Sequence, residues 1–285
     1  MDNILALHGE LADKTYKHGG YYAFKINDPK PRNIHKATVR DRLVHHAIHR
    51  ILYSYFDNKF IYHSYSSRLD KGTHRAIYQF LRFHRKVSRN NTRTCWVLKC
   101  DIKIFFDNID HEILLGILSK HISNQDIMWL LENIINSFQV LPGKGLPLGN
   151  LTSQLFINIY MNEFDQFVKR ELKARYYIRF ADDFVILSHD KSWLEALTFK
   201  MGNFLFNSLK LEFHPDKVSI RTFASGVDFL GWVNFSDHRI LRTVTRRRMI
   251  KRLANNSQES LTSYIGLLSH GNTNKLKKMI LSKLL

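Results

Sequence analysis

The stretch Tyr177-Ile-Arg-Phe-Ala-Asp-Asp-Phe-Val-Ile-Leu187 constrains this chain more than any other. Two β-rich runs, 176–180 and 184–188, are separated only by Ala181, Asp182 and Asp183. So short a connection predicts a β-hairpin with two adjacent acids at its tip. Like charges side by side repel unless a cation neutralises them. The plainer alternative is a polar turn whose acids point into water, because Asp is common in turns.

A second acid shifts that balance. Trp96-Val-Leu-Lys-Cys-Asp-Ile102 places Asp101 at the end of a buried-type strand, followed by Phe105, Phe106 and Asp107. An acid embedded in so apolar a segment needs a partner. A helix N-cap is the competing role, although Asp107 or Asn108 is better placed for it. Beside the hairpin tip, Asp101 would complete a three-carboxylate cluster. Such a cluster can hold two Mg²⁺ ions ~4 Å apart, the spacing used for in-line phosphoryl transfer.

The remaining pattern predicts an α+β chain. Pro29–Arg32 reads as an extended loop. Thr38 to Tyr55 reads as a helix with Val39, Leu43, Ala47, Ile51 and Tyr55 on one face. After a turn at Lys71-Gly72-Thr73, Thr73 is placed to cap a helix carrying Ile77, Phe80, Leu81 and His84. A strand (96–102) precedes a helix from about Asp110 to His121. Ser123 with Asp126 resembles a capping box for a second helix, running to about Phe138. The glycine- and proline-rich stretch 141–150 is a loop. A long amphipathic helix starts at Thr152 or Ser153, with Leu155, Phe156, Ile159, Tyr160, Phe164, Phe167 and Val168 inward. Leu194–Leu209 is helical, Val218–Phe223 and Phe229–Phe235 are strands, and the chain from Thr243 is helical and basic. This order gives an antiparallel sheet with helices on one face.

Charge narrows the class of partner. The 285 residues carry 43 Lys+Arg against 25 Asp+Glu, a net charge of +18. Residues 1–95 hold a balance of +11, residues 96–235 one of −2, and residues 236–285 one of +9. Two basic flanks therefore bracket an acidic middle. A nucleic acid is the default partner of such a chain, with an anionic membrane surface as the competing reading. Carboxylates beside a phosphate backbone make sense when cations sit between them. Cys95 and Cys100 have no CxxC partner, so they read as reduced core thiols rather than a zinc site. With no signal peptide and no run of 18 apolar residues, a cytoplasmic protein with no membrane partner is expected.

Taken in order, the motifs resemble those of reverse transcriptases from end to end. The resemblance is carried by Lys30-Pro-Arg32-Asn-Ile34 with Arg40-Asp-Arg42, Ser64-Tyr-Ser-Ser-Arg68 through Gly72 to Ala76, and Lys99-Cys-Asp101 through Asp110. It continues through Gly145-Leu-Pro-Leu-Gly149-Asn-Leu-Thr-Ser153-Gln154, Phe180-Ala-Asp-Asp183, Leu209 through Lys217, and Phe229-Leu-Gly231-Trp232. It implies a right-hand polymerase fold with fingers (1–95), palm (96–235, with 113–145 partly in the fingers) and a short helical thumb (236–285). It implies an RNA-directed DNA polymerase using two Mg²⁺ ions, with Mn²⁺ able to substitute. Asp101, the Ile102 backbone, Asp182 and Asp183 would hold the metals. Arg32, and Lys30 with it, would bind the triphosphate. Phe106 would exclude a ribose 2′-hydroxyl, and Lys217 would protonate the leaving pyrophosphate. Leu148, Gly149 and Gln154 would line the nucleotide pocket, with Gly149 letting the backbone approach the nucleotide. Leu230, Gly231 and Trp232 would grip the primer. Template RNA, the RNA/DNA hybrid and dNTPs would be the partners.

Two departures bear on the subclass. Phe180 stands where Tyr is usual, and Leu148 where many reverse transcriptases carry Gln. The Leu146-to-Gln154 stretch is most similar to the enzymes of diversity-generating retroelements. Those enzymes copy a template-repeat RNA with errors at adenine and work with a small basic accessory protein that forms an oligomeric barrel. Group II intron-like, retron and phage-defence reverse transcriptases are the alternatives. A non-catalytic RNA-binding protein and a DNA-templated polymerase or primase are the rivals from other classes.

Overall fold

A computed structural model describes residues 2–27, 31–253 and 258–281. The chain opens with helix α1 (Asp2–Ala12) and an antiparallel hairpin, β1 (Tyr21–Ile26) with β2 (Arg32–Ala37). The hairpin runs in register from Tyr21 opposite Ala37 to Ile26 opposite Arg32, which puts Arg32 at its tip end. Thr38 caps α2 (Val39–Asp57) by accepting the Asp41 amide.

The inward face of α2 is not the one expected. Val39, Leu43, Ile51 and Tyr55 are exposed, and so is Ala47. The helix buries Asp41, Val44, His45, Ile48, Leu52 and Phe56 instead. Val44, Ile48, Leu52 and Phe56 also recur at steps of four, so the helix carries two apolar stripes. The buried stripe is the one whose polar members find partners. Tyr16 donates its hydroxyl to Asp41 at 2.8 Å, and His45 Nδ1 lies 3.3 Å from Thr152 Oγ1.

Next comes α3 (Thr73–Val87), with Gly72 rather than Thr73 at the N-cap. Gly72 has φ +92°, a conformation that glycine alone adopts freely. Strand β3 (Trp96–Asp101) leads to α4 (His111–Ser119) and α5 (Gln125–Asn136). Asp110 caps α4; Asn124, not the expected Ser123, caps α5 by accepting the Asp126 and Ile127 amides. Helix α6 (Leu151–Gln166) continues into a π-helical turn, Phe167–Glu171. Then follow β4 (Tyr177–Phe180), β5 (Asp183–Ser188), α7 (Lys191–Leu209) and β6 (Ser219–Thr222).

These four strands form one antiparallel sheet in the order β4-β5-β3-β6. Helices cover both of its faces rather than one. Leu98, Cys100, Phe184 and Ile186 join a core with α6 and α7 residues. Val97, Ile178, Val185 and Leu187 face Ala76, Phe80, Phe83 and Val87 of α3. The reason is written in β5: Phe184-Val-Ile-Leu187 is apolar on both faces, and a strand without alternation needs cover on each side. Cys95 and Cys100 are buried free thiols, and burial pushes the Cys95 thiol up to about 12.

A second sheet joins β7 (Val227–Phe229), β8 (Trp232–Asn234) and β9 (Arg239–Leu241). The single strand expected over Phe229–Phe235 is therefore broken. Leu230 and Gly231, with φ +51° and +87°, turn the chain back on itself. Two residues of positive φ suit a tight hairpin between twisted strands. Helices α8 (Thr243–Leu253), α9 (Gln258–Leu268) and α10 (Asn274–Leu281) complete the chain. Trp232 packs with Leu241, Met249, Leu261, Leu268, Ile280 and Ile77 of α3. Among the described residues no helix is long and apolar enough to cross a membrane.

Candidate active site

The sheet register brings the predicted acids together. Asp101, the last residue of β3, lies opposite Asp183, the first of β5. Asp182 precedes it at the hairpin tip, and its carbonyl accepts the Ile102 amide at 3.2 Å. Ala181 turns the tip with φ +56°. A hairpin of apolar strands anchored in the core thus carries its two acids to the end of the neighbouring strand, where the third waits.

The three carboxylates are poorly solvated and crowded. Burial, followed by the charge of Asp101, raises the Asp182 carboxyl above its ordinary range. Burial pushes Asp183 up to about 7, against the lowering effect of Lys99 and with further raising by Asp101 and Asp182. Asp183 Oδ1 is buried with no hydrogen-bond partner. Its Oδ2 lies 3.6 Å from Lys99 Nζ, and Lys217 Nζ donates to Asp101 Oδ1 at 2.8 Å. Among the described residues no three His, Cys, Asp or Glu side chains are gathered closely enough to hold a metal ion as they stand. Asp101 and Asp183 lean instead on two lysines, which supply the positive charge the acids require. An orphaned buried oxygen among mutually repelling carboxylates fits a hard divalent cation with oxygen ligands.

The expected nucleotide-pocket residues take defined places in the fold. Arg32 is exposed at the β1–β2 tip, and its charge reaches Asp182. Lys30 lies outside the described residues. The half-buried Phe106 sets its ring edge-on to Phe105, and its carbonyl accepts the Leu146 amide at 2.9 Å. The Leu148 carbonyl accepts the His35 amide at 2.8 Å, and Asn150 donates to the His35 carbonyl at 2.8 Å. Loop 146–150 is therefore stitched between the Phe106 turn and β2. Gly149 has φ +108°, and a Cβ there would stand 2.7 Å from Ile34 Cγ2. Its close approach in this structure is to β2. Gln154 is exposed on the first turn of α6. Ile102 is buried in the core with its backbone bonded to the tip. At the expected primer grip, Leu230 and Gly231 form a half-exposed turn, while the Trp232 ring is fully buried.

The sequence model of the family described as "Reverse transcriptase (RNA-dependent DNA polymerase)" matches residues 24–233. The chain belongs to the reverse transcriptase family. Among curated relatives, Protein YkfC of Escherichia coli is 27% identical over 269 residues, covering 81% of this chain and 68% of that one. The group II intron-encoded protein LtrA of Lactococcus lactis is 25% identical over 314 residues, covering 84% of this chain and 50% of LtrA. Telomerase of Candida albicans, solved with a fragment of telomeric RNA, superposes with a TM-score of 0.61 at 13% identity. That match covers 92% of this chain and 53% of the telomerase. Apo telomerase of Candida tropicalis gives a TM-score of 0.59 at 12% identity, covering 84% and 60%. The fold is the right-hand polymerase fold that the motifs implied. This reverse transcriptase spans about half the length of LtrA and of the Candida albicans telomerase.

Several residues that shape the site were not singled out from sequence. Lys99 touches Asp183 and donates to the Asp228 carbonyl at 2.7 Å, tying the acids to the β7–β8 hairpin. Arg179 and Asp165 form a fully buried ion pair beneath the tip. Both basic residues interrupt apolar strands, as Asp101 does. That same signal, a charge inside a buried run, marks all three.

Proposed function

We propose that this reverse transcriptase copies RNA into DNA by two-metal phosphoryl transfer at Asp101, Asp182 and Asp183. The observation that carries the reading is the register pairing of Asp101 with Asp183, with Asp182 adjacent and Asp183 Oδ1 left without a protein partner. Bound divalent cations, Mg²⁺ or Mn²⁺, would supply charge neutralisation at the primer 3′-hydroxyl and the triphosphate. Asp101, the Ile102 carbonyl, Asp182 and Asp183 would hold them. The protein's own groups do the rest. Arg32 binds the triphosphate as a cation presented from the hairpin tip, and Lys30, two residues earlier in the sequence, is assigned the same role. Phe106 sets a flat ring beneath the sugar and leaves no room for a 2′-oxygen. Leu148, Gly149 and Gln154 line the nucleotide side of the pocket. Lys217, released from Asp101, delivers a proton to the departing pyrophosphate. The Leu230–Gly231 turn supports the primer end, and Trp232 anchors that turn in the thumb-side core.

Fingers over 1–95, palm over 96–235 and thumb from 236 remain our division of the chain. The β7–β9 sheet crosses residue 235, so the palm and thumb meet within a sheet. The +11 and +9 flanks suit gripping template RNA and the RNA/DNA hybrid from two sides.

For the template class we favour a group II intron-like enzyme, because LtrA is named as intron-encoded. A second reading, the diversity-generating class with its basic accessory protein, rests on Leu148. A half-buried leucine at that position cannot hydrogen-bond a nucleotide, and base-pair geometry is then policed less strictly. Primer extension on matched RNA and DNA templates with Mg²⁺ tests the main reading. Extension on RNA that disappears in Asp182→Asn, with RNA binding retained, supports it. RNA binding without extension would leave only a nucleic-acid-binding protein.

A further inference from the structure

Arg179 is fully buried, and all five of its side-chain N–H donors are used. Nε lies 2.8 and 3.0 Å from the two Asp165 carboxylate oxygens, and Nη2 donates to Asp165 Oδ2 at 2.7 Å. Nη2 also donates to Ser64 Oγ at 3.1 Å. Nη1 donates to Asn158 Oδ1 at 3.2 Å and to the Ala181 carbonyl at 3.1 Å. The backbone of Arg179 is engaged as well: its amide donates to the His63 carbonyl, and its carbonyl accepts the Tyr65 amide, both at 3.0 Å. Asp165 is held from its other side by the Tyr177 hydroxyl at 2.6 Å.

A buried ion pair is weak evidence for stability, because desolvation offsets much of the attraction. What this pair does is geometric. Its guanidinium reaches from α6, through the 63–65 loop, to the carbonyl of the one left-handed residue in the tip, Ala181. The next carbonyl, that of Asp182, is held from the far side by the Ile102 amide. The tip backbone is thus pinned at two successive peptide groups, one just before Asp182 and one between Asp182 and Asp183.

We propose that Arg179, oriented by Asp165, is a positioning residue that fixes the Ala181 turn and so aims Asp182 and Asp183 at Asp101. This rests on the polymerase reading of the three acids. Arg179 touches no substrate; it acts through the tip. Lysine at 179 would keep the charge facing Asp165, but its single ammonium cannot span Asp165, Ser64 and the Ala181 carbonyl together.

The test uses the full chain and reads metal binding apart from catalysis. Mn²⁺ is titrated by electron paramagnetic resonance into the parent, Arg179→Lys, Ser64→Ala and Asp182→Asn. Thermal melting and steady-state primer extension on RNA are measured alongside. The proposal expects folded Arg179→Lys to bind Mn²⁺ about 10-fold or more weakly, as a misaligned site does. Its kcat should fall by a similar factor, with the KM for dNTP little changed. Ser64→Ala, which removes one acceptor of the same guanidinium, should shift Mn²⁺ affinity in the same direction by a smaller factor. That variant decides the matter should Arg179→Lys fail to fold. Parental Mn²⁺ affinity in the folded variants overturns the proposal, as does a kcat loss that merely follows melting temperature. A parent that binds Mn²⁺ through Asp182 yet extends no primer would sink the polymerase reading and leave the positioning role standing.

Discussion

Asp101 and Asp183 are direct cross-strand partners, the terminal pair of the β3–β5 register. Two acids opposite each other in a sheet are destabilising on their own. The arrangement persists because the rest of both strands is core, and Lys217 and Lys99 stand against the acids. The chemistry of the site, and most of what can be measured about it, follows from this pairing.

A cost in metal-free stability is the first consequence. An unfolded aspartate titrates near about 3.9, whereas Asp183 in the fold is pushed up to about 7. The raised carboxyl favours the fold below about pH 4, and that contribution is lost as pH rises through about 7. Asp183→Asn cannot ionise, so at pH 8 without divalent cations it should melt above the parent. The expected gap is roughly 2–4 °C for each kcal/mol of relieved repulsion. It should shrink toward pH 5, and Mg²⁺ should raise the parent's melting temperature but not the variant's to the same degree. Calorimetry across pH 5–8 checks this; a gap independent of pH would mean Asp183 carries no such strain.

Sugar selection should reside in one ring. In the proposed arrangement, shortening Phe106 to Val opens space beside the incoming sugar. The ratio of kcat/KM for dNTP over rNTP should fall by roughly 10- to 100-fold, the range a pocket-filling group controls. Single-nucleotide incorporation with matched dNTP and rNTP reads the ratio directly, and an unchanged ratio removes Phe106 from this role.

Gly149→Ala should damage the fold at the β2 junction. Its φ of +108° and the 2.7 Å approach of Ile34 leave no room for a methyl group. Backbone strain of this kind costs roughly 1–3 kcal/mol. Thermal melting should show the loss, with weaker dNTP binding because loop 146–150 also carries Leu148. A variant that melts with the parent would show that the loop can leave β2 freely.

Fidelity distinguishes the two template classes. If Leu148 relaxes base-pair checking, Leu148→Gln should lower misincorporation opposite template adenine by roughly 10-fold. Sequencing of products from a defined RNA template measures it. An identical error spectrum in both proteins favours the intron-like enzyme of ordinary fidelity.

Much of this was legible in the sequence, for a physical reason. Acids inside apolar runs are costly, so Asp101, Asp182 and Asp183 stood out before any fold was known. The hairpin and the order of strands and helices followed from runs and breakers. The packing face of α2 did not, because the helix carries two apolar stripes, and only the tertiary partners of Asp41 and His45 select between them. The β7–β8 turn hid behind Leu230, a residue that rarely adopts the positive φ it has here. Lys99 and Arg179 sat within the motifs themselves. Their reach to Asp228 and Ala181 depends on folded geometry that residue spacing does not encode.

The most direct test is a double-mutant cycle on single-turnover dNTP addition to an RNA-templated primer, using the parent, Asp101→Asn, Asp183→Asn and the pair. One metal-holding unit predicts that each single change slows addition by about 10³-fold or more. It also predicts that the pair loses little beyond the worse single change, as residues acting together do. Near-parental addition by Asp101→Asn, or losses that multiply in the pair, would mean that these two aspartates do not share one task.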